Sequence, residues 1–118
     1  MGDGIYVFAN PVAYRKIAEA LDLPILTIVK NNAMWDAVRR SVVNSYPDGI
    51  GAKSNKVPLT SLEPSPDFAA VSKASRAHAE RIEDGADLPA ALAWAVEVIR
   101  TEKRQVLLDL RCAVSGSH

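Results

Sequence analysis

The sequence predicts a layered α/β domain, and three observations carry that expectation. Helix-start signals precede segments with helical apolar spacing, short apolar runs rich in β-branched residues lie between them, and no internal repeat or low-complexity tract breaks the alternation. The chain has 118 residues, one domain's worth, with 48% apolar and 24% charged residues. That composition is close to the globular average and excludes disordered, collagen-like and coiled-coil readings.

Asn10-Pro11 is a helix start, because Asn can accept from the free N–H groups of the first turn and Pro at the first helical position loses no hydrogen bond. The helix is expected over Pro11–Leu21 with Val12, Ile17, Ala18 and Leu21 as its apolar stripe, stopped by Asp22 and the Leu23-Pro24 pair. Residues Pro24 to Lys30 (PILTIVK) read as a strand buried on both faces, closed by Asn31-Asn32. A second helix is expected from Ala33 to Tyr46, with Met34, Trp35, Val38, Val42 and Val43 at helical spacing. Pro47 to Pro66 contains four of the seven prolines and two glycines and reads as a long loop, a candidate lid over a substrate. A short helix is expected over Asp67–Arg76, a weak edge strand over Ala77–Ile82, and a helix from Leu88 to Thr101 capped by Asp87, with Ala91, Leu92, Ala95, Val96 and Ile99 inward. Gln105–Leu110 (QVLLDL) closes the pattern as another buried strand.

Fourteen basic and fourteen acidic residues give formal neutrality, which removes the broad electrostatic drive toward nucleic acid or an anionic membrane. The longest apolar stretches, Leu23–Val29 and Ala90–Ile99, fall short of a membrane span, and a cytoplasmic protein is expected. Cys112 has no disulfide partner and reads as a small buried apolar residue; with only His78 and His118 beside it there is no zinc constellation. Trp35 and Trp94 read as core, His78 as a bystander between alanines, and Arg39-Arg40 as a solvated helix face.

The chemistry-bearing pattern is Gly2-Asp3-Gly4, then residues 5–30, then Asn31-Asn32. That spacing suits one crossover unit, which would bring the two motifs side by side at the carboxyl ends of neighbouring strands, where open α/β sheets bind ligands. Magnesium takes oxygen ligands and usually combines one or two protein groups with phosphate oxygens and water, so an Asp carboxylate with an Asn side-chain oxygen is suitable. Glycines beside Asp3 let the backbone approach a phosphate. Each half alone is also an ordinary structural signal, Asp-Gly for a turn and Asn-Asn for a strand end.

GDG, 26 residues, then NN resembles the cofactor-anchoring motif of thiamine-diphosphate-dependent enzymes. The flow from GDGIYVF through LPILTIVKNNAMW to QVLLDLRCAV looks like the C-terminal, diphosphate-binding domain of the acetolactate synthase and benzoylformate decarboxylase group. The resemblance implies a partial doubly wound parallel sheet with flanking helices over residues 1–114, with 115–118 as a tag or flexible tail. It implies that Asp3 and Asn32 ligate Mg2+ through side-chain oxygens and Met34 through its carbonyl, and that Gly2, Gly4, Ile5 and Asn31 help to line the thiamine diphosphate site. Many relatives carry Ser or another small residue where this chain has Ile5, so only the Ile5 backbone could serve a phosphate.

In that family the strand leading into GDG, the activating Glu and a separate pyrimidine-binding domain lie upstream. The resemblance therefore implies a fragment that holds the anchor and contributes no catalytic residue, inactive alone. It implies partners in the form of those upstream domains and further copies, and a 2-oxo acid substrate for the whole enzyme, with no nucleic acid or membrane. The function expected is the magnesium and thiamine diphosphate anchoring portion of a 2-oxo acid decarboxylase or acetolactate synthase-like carboligase. The alternative is a noncatalytic α/β binding or assembly module that retains the fold. Without the strand that leads into GDG, a neighbouring strand edge and its apolar face are expected to be exposed, so self-association or dependence on a partner is expected.

Overall fold

A computed structural model describes residues 1–54 and 59–113. Three parallel strands, β1 (Leu26–Asn31), β2 (His78–Ile82) and β3 (Val106–Arg111), form a sheet in the order β1-β3-β2. Leu26 and His78 both pair with Val106, so the strands start level, and Asn31 pairs with Arg111 and Ile82 with Leu110 at the carboxyl end. The central strand β3 buries Val106, Leu107, Leu108 and Asp109 in succession, as a strand covered on both faces must.

Helix α1 (Asp3–Phe8), α2 (Pro11–Ala20) and α5 (Phe68–Lys73) cover one face, where Tyr6 and Phe68 pack on Val29 and Leu107. Helix α6 (Leu88–Glu102) covers the other, setting Ala91, Ala95 and Val98 against Ile82, Val106 and Leu108. This is the α/β architecture expected. Helix α3 (Asp36–Ser45) packs against α4 (Ile50–Lys53), and neither buries a residue.

Local chemistry sets the boundaries. Asn10 accepts a hydrogen bond from the Ala13 amide, and Asp67 accepts one from Ala70 at 3.0 Å, so both act as N-caps. Helix α2 ends in a Schellman motif: Leu23 N–H donates to the Ala18 carbonyl at 2.9 Å and Asp22 N–H to Glu19 at 3.2 Å, with Asp22 left-handed at φ 51°. Asp87, expected as the cap of α6, makes no side-chain cap bond; Asp84 accepts from Ala86 instead and caps a single 3₁₀ turn, Gly85–Asp87, that leads into α6.

Several sequence expectations change. One element appears for which no expectation was given: the segment after Gly2 is helical, and α1 forms because Tyr6 N–H closes on the Gly2 carbonyl at 3.0 Å and Tyr6 is drawn into the core. Of the expected α2 stripe only Ala18 faces inward: Val12, Ile17 and Leu21 are exposed, and Arg15 is buried beside Ala18 because it meets polar partners there. In α6, Val96 is exposed and Val98 takes the inward position. Helix α3 starts at Asp36 rather than Ala33, because Ala33, left-handed at φ 56°, and Trp35 bond to the 60–62 segment. The Pro47–Pro66 loop contains the short α4, and its residues 55–58 lie outside the described residues, as does the 115–118 tail.

His78 is not a bystander: its Nε2 lies 2.9 Å from Glu102 and its ring meets Trp94 edge-on. Trp35, Trp94 and Cys112, all expected in the core, lie at the surface. Arg39 and Arg40 pair with Asp36 at 2.8 Å each. Burial would raise the Asp36 pKa, but the Arg39 hydrogen bond and the two guanidinium charges outweigh it and hold the carboxyl below its usual range.

Asp109 is the one carboxylate inside the sheet layer of β3, with Oδ1 accepting from Asn31 Nδ2 at 3.0 Å. Burial pushes its pKa up, and the Asn31 hydrogen bond with the Arg81 and Arg111 charges only partly opposes this. A carboxyl whose folded pKa lies above the ordinary value of 3.8 contributes stability that is full below that value and is lost as pH rises through the folded pKa. At neutral pH its ionised form is a cost. Asp109→Asn keeps an acceptor for Asn31 and removes the charge. Its melting temperature is expected to equal or exceed that of the parent chain at pH 7, with the difference shrinking as pH falls, in paired melts across pH 4–8. A difference constant with pH would contradict this.

Candidate functional site

The crossover brings the two motifs together. Gly2 bridges in parallel to Lys30, the Met1 carbonyl accepts from Lys30 N–H at 2.8 Å, and α1 therefore begins beside the carboxyl end of β1. Asp3, only 3% exposed, directs Oδ2 to the Met34 amide at 3.2 Å. Asn32 Oδ1 accepts from the same amide at 3.1 Å. Two side-chain oxygens from two distant motifs thus converge on one backbone N–H.

The position of Met34 has its own cause. Trp35 N–H donates to Thr60 and Leu62 N–H to Ala33, both at 2.8 Å, flanking an antiparallel Met34–Ser61 bridge. In that geometry the N–H and carbonyl of Met34 point away from the 60–62 segment. The amide goes to Asp3 and Asn32, and the carbonyl is left outside the ladder.

These donors fit a hard divalent cation. The Asp3 carboxylate is buried, yet its one hydrogen bond among the described residues is to an amide it shares with Asn32. A buried carboxylate so thinly partnered is costly unless a cation or further donors complete its shell. The set is all oxygen and contains a single acidic side chain, which suits Mg2+ with the balance of its ligands from phosphate and water. Among the described residues no group of three or more His, Cys, Asp or Glu could hold a metal.

Asn31, expected on the cofactor pocket, lies behind the wall. It is fully buried, its Nδ2 donates to Asp109 and to Ser65 Oγ at 3.1 Å, and its Oδ1 accepts from the Ala33 amide at 3.0 Å and from Arg111 at 3.2 Å. Its side chain braces the turn that presents Asn32 and Met34. Sequence reasoning missed Ser65 and Asp109 as its partners; the signal was a lone acid in the apolar QVLLDL run.

Above the anchor opens a cleft of about 1040 Å³ between α1 and α3, with Gly2, Asp3, Gly4, Ile5, Asn32 and Met34 on its lining. Ile5 and Phe8 form one rim, Val38 and Arg40 the other, and Cys112 sits on the wall. The Trp35 indole lies directly on Gly4: a Cβ there would stand 1.8 Å from Trp35 Cδ1. Gly4 is helical, so Ala is barred by this contact rather than by backbone conformation. Gly4→Ala is expected to expel the indole and to destabilise the chain by about 1–3 kcal/mol, the usual cost of overpacking. Denaturant melts and a red-shifted emission of Trp35, read in a Trp94→Phe background, check it; an unchanged emission spectrum would refute the contact.

Residues 1–110 match the family model described as thiamine pyrophosphate enzyme, C-terminal TPP binding domain. No curated protein matches the sequence. Among solved structures, the fold is similar to that of a thiamine diphosphate-dependent 4-hydroxybenzoylformate decarboxylase from Rhodococcus jostii RHA1, with a TM-score of 0.79 at 17% identity. The alignment covers 99% of this chain and 20% of that one, so the chain spans about one fifth of that enzyme's length. With the family model matching nearly its whole length, the chain belongs to the thiamine pyrophosphate enzyme family, as its C-terminal, cofactor-binding domain.

Proposed function

We propose that this chain anchors Mg2+ and thiamine diphosphate for an enzyme that decarboxylates 2-oxo acids or joins them in acetolactate synthase-like carboligation. The observation that carries the reading is the convergence of Asp3 and Asn32 oxygens beside the Met34 backbone. Asp3 Oδ2, Asn32 Oδ1 and the Met34 carbonyl would hold the ion, and the backbones of Gly2, Gly4 and Ile5 would face the diphosphate. When bound, the thiazolium ring supplies the carbanion chemistry. This chain's own residues orient and hold: Asp3 brings the negative charge, Asn31 keeps the turn in place, and Trp35 shields the first turn of α1 from water.

Decarboxylation is the reading favoured by the likeness in fold to an enzyme named for it. The proposed setting is a cytoplasmic assembly in which further domains and further copies of the chain complete the site. Exposed apolar side chains support that setting: Ile5 is 66%, Phe8 86% and Val12 64% exposed, all near the cleft side of α1 and the start of α2. No helix among the described residues is long and apolar enough to cross a membrane.

Calorimetric titration of the chain with thiamine diphosphate, with and without Mg2+, tests the anchor. Binding is expected to require Mg2+. Asp3→Ala and Asn32→Ala should weaken it by about 100-fold or more, since losing even an outer-shell partner can cost metal affinity up to about that much. Asp3→Asn, which keeps an acceptor for Met34 and removes the charge, separates loss of the ion from loss of the fold. Binding that ignores Mg2+ or survives Asp3→Asn would contradict the reading.

A further inference from the structure

Arg15 is fully buried without a carboxylate among its hydrogen-bond or ion-pair partners in the described residues. Its Nε donates to the Tyr6 hydroxyl at 3.1 Å and its Nη1 to Gln105 Oε1 at 3.0 Å, while Nη2 has no hydrogen-bond partner among those residues. The guanidinium lies 5.0 Å from the Tyr14 ring centroid and 5.8 Å from that of Tyr6. A buried cation satisfied only by neutral groups and ring faces is an expensive choice where an apolar residue would fill the space.

What that choice secures is the orientation of α1. The helix has six residues, too few to persist alone, and its buried residues are Asp3, Gly4 and Tyr6. Tyr6 is thus its one large buried side chain, and it stands one turn after Asp3 on the same face. Its ring meets Phe68 and Tyr14 edge-on at 5.2 and 6.0 Å. Its hydroxyl is held between Arg15 and Ser72 Oγ, the latter at 3.3 Å, which adds directional contacts to the ring packing.

We propose that Arg15 is a positioning residue for the anchor: acting through the Tyr6 hydroxyl, it fixes the depth and rotation of α1 and so places the Asp3 carboxylate against Asn32 and the Met34 amide. The inference rests on the magnesium and thiamine diphosphate reading for its binding readout and on α1 alone for its structural one. Gln105, which also donates from Nε2 to the Arg15 carbonyl at 3.2 Å, ties the same guanidinium to the start of β3, so the link runs from the sheet to α1.

Amide hydrogen exchange on Tyr6→Phe, Arg15→Met and the double variant tests it, followed by cofactor titration at saturating Mg2+. Each single change should speed exchange of the Tyr6 and Ala9 amides by about 10-fold, the scale of one lost buried hydrogen bond to a charged group, with Val98 and Leu108 unchanged. The effect of the double variant should fall short of the sum of the singles, since both remove the shared Arg15–Tyr6 bond. The same variants should bind thiamine diphosphate about 10-fold more weakly, and Arg15→Lys, which keeps a charged donor, should recover part of that loss. Unchanged α1 amides would overturn the proposal, and so would equal acceleration of Val98 and Leu108, which would make the contact a general core interaction. If Arg15→Met does not fold, Tyr6→Phe decides. A parent chain that binds no cofactor ends the functional reading, while the exchange comparison still decides this one.

Discussion

One backbone amide, that of Met34, organises the site. It receives Asp3 from one side of the crossover and Asn32 from the other, and it can do so only because three separate constraints hold it there. Parallel pairing of β1 with β3 sets where residue 31 ends, the 60–62 segment turns the Met34 peptide outward, and α1 delivers Asp3 beside the end of β1. Loss of any one would leave a buried carboxylate without its donor.

The two faces of the sheet divide the work of stability and function. On the α6 face the core is apolar and small-residue packing is tight, with Ala95 and Leu108 fully buried. The opposite face, which carries the site, buries Arg15, Thr27, Asn31, Ser72, Gln105 and Asp109 alongside its apolar residues. Polar groups there are hydrogen-bonded to one another, Tyr14 to Thr27 at 2.9 Å and Asn31 to Asp109 among them, so each fixes a neighbour's orientation at some expense of net stability. Such networks specify one arrangement where an apolar core would allow several, and an anchor for a metal requires the single arrangement.

The α/β class, the three strands and the pairing of the two motifs were legible because they rest on local signals: β-branched runs, Asn10-Pro11, and a crossover-sized gap. Even the edge strand at His78–Ile82, whose alternation is weak, formed as read. What escaped the sequence depended on long-range partners. IYVF became helical because the core took Tyr6, and α2 left Val12, Ile17 and Leu21 of its stripe in solvent because Arg15 found Tyr6 and Gln105, which no local pattern announces. Asn31 and Asn32 are neighbours with different fates, one braced inside by Asp109 and Ser65, the other on the cleft, and strand alternation alone decides which. Trp35 and Cys112 read as core on hydrophobicity and lie on the cleft wall, the kind of apolar exposure a ligand or partner surface requires.

Paramagnetic broadening by Mn2+, a stand-in for Mg2+ with the same taste for oxygen ligands, measures the anchor most directly. In a two-dimensional amide spectrum of the chain with thiamine diphosphate present, substoichiometric Mn2+ should first erase the Asp3, Asn32 and Met34 resonances and leave those of α6 intact. Broadening centred on acidic surface residues such as Glu83 and Asp84, or spread evenly over the chain, would contradict the account.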